Sequence, residues 1–264
     1  MAETDRGAAP PSHWLRLLEA RAVFELGAVM AAAPWLRMMG RGDDHPVLIL
    51  PGFLADDSST LPLRYILRGQ GYWVDGWDLG RNIGPTPAIV DGLIAKLQMM
   101  HDRHGAPVTL IGWSLGGIYS RRLARKYPHL VRQVITLGSP FRITADDRSA
   151  VSRIYDRLSP QHIPLIEEAL PGHEAGELLV PATSIYTRSD GVVRWWQCLD
   201  DEGPLRENIE VYGSHSGLGF NPAAIYAIID RLAQKPGEWT KFEAPPGTSQ
   251  FFPKPAIWRP TVAA

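Results

Sequence analysis

Residues Val108 to Ala124 read VTLIGWSLGGIYSRRLA. A short apolar run of strand character enters Gly112-Trp113-Ser114-Leu115-Gly116, and an amphipathic helical pattern follows at once. G-x-S-x-G between a strand and a helix is a demanding arrangement. The residue at the top of so sharp a turn takes strained backbone angles, and its neighbours two positions away come too close to carry a Cβ. Glycines at 112 and 116 relieve that contact. The serine hydroxyl then stands at the strand's C-terminal end, with the N-terminal N–H groups of the next helix aimed at whatever reacts there. Ser114 is therefore the candidate nucleophile. The plainer alternative is a buried serine in a tight βα turn.

A serine at neutral pH needs a base, and the base needs an acid to orient it. After an elbow of this kind the expected chain order is serine, acid, histidine. IYTRSDGVV places Asp190 just past a strand, and IEVYGSHSGLG places His215 just past the next one. Strand C-terminal ends are where an open parallel sheet gathers its functional groups. The other histidines fit less well. His13 lies in the N-terminal segment, His45 opens a strand at its wrong end, and His101, His104 and His129 adjoin helix ends. His162 and His173 fall in a long insertion. Asp200 and Asp201 compete with Asp190 but follow no strand, and Asp78 precedes the serine.

An oxyanion at the reacting carbonyl needs two N–H donors. One is expected from Leu115, directly after the serine. The other is expected from Phe53, in the turn LPGFLADD after the first strong strand, where Gly52 lets the backbone turn inward. Leu54, Trp113, Phe141 and Leu218 make the neighbourhood apolar and are candidate substrate contacts. In DLGRNIGPT, Asn82 either touches substrate or fixes its loop.

Apolar strands alternate with amphipathic helices from about residue 46. Strands are expected at Pro46–Leu50, Val108–Gly112, Val134–Leu137, Thr183–Thr187 and Asn208–Gly213, and Tyr72–Leu79 reads as a short strand running into a loop. Helices are expected at Leu61–Arg68, around Ile89 to Met100, at Leu115–Lys126 and at Asn221–Gln234. That rhythm predicts an α/β chain with a mostly parallel sheet covered by helices on both faces. The roughly 40 residues between Pro140 and Pro181 show no strand and two helical stretches, Ile143–Leu158 and Ile163–Leu170, too much for a simple connection. A helical lid at about 141–180 is expected there, with a plain crossover as the alternative. The domain layout is a helical segment at 1–44, the α/β domain at 45–235, and a proline-rich tail at 236–264 packed on the body through its aromatic residues.

The chain carries 27 basic and 28 acidic residues among 264, a net charge of −1, without a basic stripe. Nucleic-acid binding is not expected. Nor is a metal site, since His101 and His104 form the only close histidine pair and sit at the polar end of a helix. No cofactor is implied. The single cysteine, Cys198, excludes an internal disulfide and fits a reducing, cytoplasmic setting. LGAVMAAAPWL, Leu26 to Leu36, is apolar, yet Glu3, Asp5, Glu19 and Glu25 oppose a signal peptide. The run is too short to span a bilayer and contains Pro34. Leu15, Leu18, Ala22, Leu26 and Met30 form a helical stripe that is expected to pack on the domain, docking on a membrane surface being the alternative.

HPVLILPGF, LIGWSLGG, TLGSPF, SDGVV and GSHSGLG, in this order, resemble the α/β-hydrolase family, especially its esterase and lipase branch. The resemblance covers His45 to about Leu232. It implies the fold, a triad of Ser114, Asp190 and His215, an oxyanion hole at Phe53 and Leu115, and a lid at Ile143–Val180. It further implies cleavage of small-molecule or lipid carboxylic esters through an acyl-enzyme. A serine acyltransferase, lactonase or amidase would use the same triad, and a non-catalytic binding module would be expected to have lost part of it. Two departures stand out. Pro51-Gly52 replaces the usual His-Gly before the oxyanion residue, removing a side chain that could brace the loop. Trp113 replaces the more common histidine before the serine.

Overall fold

The computed structural model describes residues 11–37, 39, 42–142 and 178–257. Six strands form one sheet: β1 (Pro46–Leu50), β2 (Trp73–Gly76), β3 (Val108–Trp113), β4 (Val131–Leu137), β5 (Ala182–Tyr186) and β6 (Arg206–Glu210). All neighbours pair in parallel, in the order β2-β1-β3-β4-β5-β6. β1, β3 and β5 are buried along their whole length. Their side chains alternate between two cores. Val47, Ile49, Ile111 and Trp113 enter one, beneath α2 (Ala22–Arg37), α3 (Leu61–Gly69) and α6 (Pro222–Leu232). Leu48, Leu50, Val108 and Leu110 enter the other, beneath α4 (Pro87–His104) and α5 (Leu115–Lys126). A sheet buried on both faces explains why β1 and most of β3 read as apolar runs.

The strand order reverses between β1 and β3. The loops leaving their C-terminal ends lead to helices on opposite faces, and such a switch point is the usual ligand position in an open α/β sheet. Phe53 follows β1 and Ser114 follows β3, so both stand at this switch point.

Helix boundaries follow local capping. The Thr86 hydroxyl accepts from the Ile89 N–H at 3.3 Å, Pro87 opens α4, and Gly105 ends it at φ 61°. The Asn221 amide oxygen caps α6 by accepting from Ala223 and Ala224, with Pro222 next in line.

β4 begins at Val131, three residues before its expected start. β2 ends at Gly76 and runs into a loop. The Asp57 carboxylate captures the Trp77 and Asp78 N–H groups at 3.0 and 2.9 Å, and Asp78 turns to φ 60°. β6 begins at Arg206 rather than Asn208, because Arg206 and Glu207 are buried by pairing. Arg206 donates to the Val180 carbonyl, and Glu207 accepts from Arg231 and Thr183. The N-terminal helix is broken. α1 (His13–Leu18) passes through a 3-10 turn at Glu19–Arg21 into α2. The tighter winding of that turn shifts the helical phase. Val29 and Leu36 are therefore buried, while Leu26 and Met30, expected to pack, are exposed. Trp14, Leu17, Val23 and Phe24 also face outward. Among the described residues no helix is long and apolar enough to cross a membrane.

In the tail, Phe242 and Phe252 lie 4.9 Å apart between ring centroids and pack against Tyr226 of α6. The two helical stretches expected in the lid, from Ile143 to Leu170, lie outside the described residues, as does Trp258.

Candidate active site

Ser114 sits between the last residue of β3 and the first of α5, at φ 51° and ψ −118°. That is a costly conformation for a residue with a Cβ, of the kind that persists where surrounding structure enforces it. The enforcement is visible. The Ser114 N–H donates to the Leu137 carbonyl of β4 at 2.8 Å, and its carbonyl accepts from Gly117 at 3.0 Å. A methyl group on Gly112 would fall 2.3 Å from the Gly117 Cα, and one on Gly116 would fall 2.4 Å from the Leu50 carbonyl oxygen. Neither position has room for any other residue.

Asp190 and His215 meet. The His215 Nδ1–H donates to Asp190 Oδ2 at 2.6 Å, and both side chains are buried. Asp190 is fixed through its other oxygen, which accepts from the Val192 and Val193 N–H groups at 2.8 and 2.7 Å. A methyl on Gly138 would lie 3.0 Å from His215 Nδ1, so the imidazole rests over the residue after Leu137, the residue that anchors Ser114. Burial pulls the His215 pKa down. The charge and hydrogen bond of Asp190, aided by the charge of Glu19, outweigh that pull and raise it above the ordinary 6.5. The rival acid Asp200 is engaged elsewhere, accepting from both terminal nitrogens of Arg121 at 2.6 and 3.0 Å. His45 is buried between Asp43 and the Thr109 hydroxyl at the start of β1, the opposite edge of the sheet.

The turn after β1 comes close to the serine: a methyl on Gly52 would lie 3.3 Å from the Ser114 Cβ. Phe53 is half-buried against the α4–α5 core, and Leu115 is buried at the start of α5. Asn82 resolves in favour of the loop. It is fully buried, donates its side-chain amide to the Pro51 carbonyl at 2.9 Å, and trades backbone bonds with Leu54 and Ala55 at 2.7 and 2.8 Å. The Asn82 side chain thus braces the turn after β1. Leu54 follows at φ 64°.

The Trp113 ring is turned into the α6 side of the sheet, edge-on to Phe220 at 5.4 Å and beneath Gly219. Its Nε1–H donates to the His215 carbonyl at 3.0 Å. It therefore links β3 to the loop that carries His215. Leu218 is likewise fully buried, its methyl close to Gly138. Phe141 remains half-buried, with the Arg121 guanidinium 3.9 Å above its ring.

The residues that sequence reasoning missed lie far upstream. Glu19, Arg21 and Glu25 of the N-terminal helical segment all bond to the loops that carry Asp190 and His215. The available signal was charge on an otherwise apolar helix.

No model of a known protein family matches the chain. The human protein Serine hydrolase BPHL is 31% identical over 126 residues, 44% of this chain and 43% of that protein. A pimeloyl-[acyl-carrier protein] methyl ester esterase of Neisseria meningitidis is 37% identical over 60 residues, 23% of this chain and 20% of that enzyme. The chain thus spans less than half the length of these curated relatives. Among solved structures, lipase B of Aspergillus fumigatus superposes with a TM-score of 0.55 at 18% identity, covering 76% of this chain and 56% of the lipase. At that identity the likeness is one of fold.

Proposed function

We propose that this chain, which has the α/β-hydrolase fold, is a serine hydrolase of carboxylic esters. The observation that carries the reading is the buried 2.6 Å Asp190–His215 pair, set over the strand end that anchors a strained serine. In this reading the Ser114 Oγ attacks the ester carbonyl carbon while His215 Nε2 takes its proton. The tetrahedral oxyanion is held by the N–H groups of Phe53 and Leu115. The C–O bond to the alcohol breaks, His215 returns the proton to the departing oxygen, and the acyl group stays on Ser114. Water then attacks the acyl-enzyme with His215 again as base, releasing the acid and restoring the serine. Asp190 keeps the proton on Nδ1 and stabilises the imidazolium that forms in each half-reaction. Asn82 keeps the Phe53 turn in place without reorganisation, which is the condition for an oxyanion site to be effective. Half-buried Phe53, Leu54 and Phe141 support a neutral ester with an apolar acyl chain as substrate.

A series of 4-nitrophenyl esters of rising acyl length tests this reading. Turnover of several members is expected, with a fluorophosphonate probe labelling Ser114 stoichiometrically. Activity confined to the acetate would argue against an apolar acyl site, and no labelling would end the serine reading. The pH dependence has a fixed sign. His215 must be neutral to accept a proton, so kcat/KM should fall as pH drops through its raised pKa. Its acid limb is expected above 6.5, and a limb below that value would contradict the influence of Asp190 and Glu19.

A further inference from the structure

The residues on either side of Asp190 and His215 are held by side chains from a distant part of the chain. Glu19 Oε1 accepts from the Gly191 N–H at 2.8 Å and the His215 N–H at 3.0 Å. Its Oε2 accepts from the Ser216 N–H at 2.8 Å. One carboxylate therefore bridges the residue after the acid and the base itself. Arg21 donates to the Ser189 carbonyl and hydroxyl at 3.0 and 2.8 Å, and to the Gly213 carbonyl. Glu25 Oε1 accepts from the Ser214 N–H and hydroxyl, both at 2.8 Å. α1 lies against the acid loop: a methyl on Gly191 would fall 2.3 Å from the Leu15 carbonyl oxygen.

We propose that the turn from Glu19 to Glu25 is a catalytic clamp, in which Glu19 is the positioning residue that sets the acid loop against the base loop. The proposal rests on the reading of Asp190 and His215 as acid and base. Apart from the Asp190–His215 bond itself, the two loops are joined by the Thr187 and Ser189 hydroxyls on the Gly213 carbonyl at 3.0 and 2.9 Å, two residues short of the histidine. Glu19 adds a backbone tie at the histidine itself. It stays ionised there: burial opposes the charge, but three backbone N–H donors and the Ser216 side chain hold its carboxyl below the ordinary range. A fixed negative charge at this place also favours the imidazolium that forms in the transition state. The groups facing His215 are thus Asp190 and Glu19, both of which raise its pKa.

Glu19→Gln in the full-length protein separates this role from packing. Glutamine keeps the volume, but its NH2 must confront one of the backbone N–H donors. With 4-nitrophenyl butyrate, kcat is expected to fall about 10–100-fold, the scale of a misplaced catalytic group, with KM within about twofold. The acid limb of kcat/KM should move to lower pH, by roughly 0.3–1 unit, as one neighbouring charge is lost. Phe24→Ser, at an exposed position of α2, should leave kcat and the limb unchanged. If Glu19→Gln does not fold, Arg21→Gln decides on the same kcat readout, since it removes three bonds to the loops and spares the carboxylate. Wild-type kcat and an unmoved limb in Glu19→Gln, or wild-type kcat in Arg21→Gln where only that variant folds, would overturn the clamp. Ser114→Ala in the same assay keeps the two failures apart. If that variant retains activity the serine reading falls, and if it is inactive while the clamp variants behave as wild type, the clamp alone falls.

Discussion

Ser114→Ala is expected to lower kcat on an aryl ester by about 10⁴-fold or more, with no residual labelling by a fluorophosphonate. The size follows from what is removed. Without an attacking oxygen on the enzyme, no acyl-enzyme forms, and only binding and oxyanion stabilisation remain to help water. The fold should hardly notice. The bonds that fix the elbow belong to the backbone: the Ser114 N–H to Leu137 and the Ser114 carbonyl to Gly117. Both survive the substitution. Alanine and serine also share the same Cβ penalty at φ 51°, so the strain is unchanged. A loss of activity with an unchanged melting temperature is therefore the expected pair of results. Wild-type turnover in a purified variant would remove Ser114 from the mechanism.

How much of this was legible in the chain depends on what each residue is buried against. β1 and β3 could be read because a parallel sheet covered on both faces needs largely apolar runs, and PVLIL or VTLIGW leaves little else to read. The start of β6 was hidden by RENIE, in which buried Arg206 and Glu207 pair with groups remote in sequence. Charge in a strand reads as exposure unless its partner is known. The same limit hid Glu19 and Glu25. On a single chain their carboxylates argue only against a signal peptide, since the N–H groups they serve lie more than 150 positions away. Trp113 was conspicuous by its place before the serine, but the side of the sheet it takes follows from strand alternation. The ring joins Ile111 in the α6 core, and its N–H reaches the histidine loop. DLGRNIGPT leaves Asn82 open between contact and brace, and the bond that makes it a brace goes to the Pro51 carbonyl, 31 positions away.

Asp190→Asn tests the orientation of the base, and the structure fixes its outcome more tightly than an isolated carboxylate would. Asp190 Oδ1 already accepts from two backbone donors, Val192 and Val193, while Oδ2 accepts from His215. An asparagine keeps those backbone bonds only by placing its carbonyl oxygen at the Oδ1 position. Its NH2 is then forced toward the imidazole. His215 Nδ1 must become an acceptor, and the ring proton moves to Nε2, the atom that should take the proton from Ser114. The opposite rotamer would aim NH2 at two N–H donors in a buried loop, leaving at least two polar groups unpaired at about 1–3 kcal/mol each. The wrong tautomer is thus the favoured state, and kcat should fall by about 10³–10⁴-fold near neutral pH. Substrate affinity and the fold should persist. Because the inhibition removes His215 as a base, activity should recover in part at high pH, where hydroxide takes the Ser114 proton instead. An asparagine variant that works at the wild-type rate would mean that Asp190 does not set the tautomer, and the buried pair would lose its catalytic meaning.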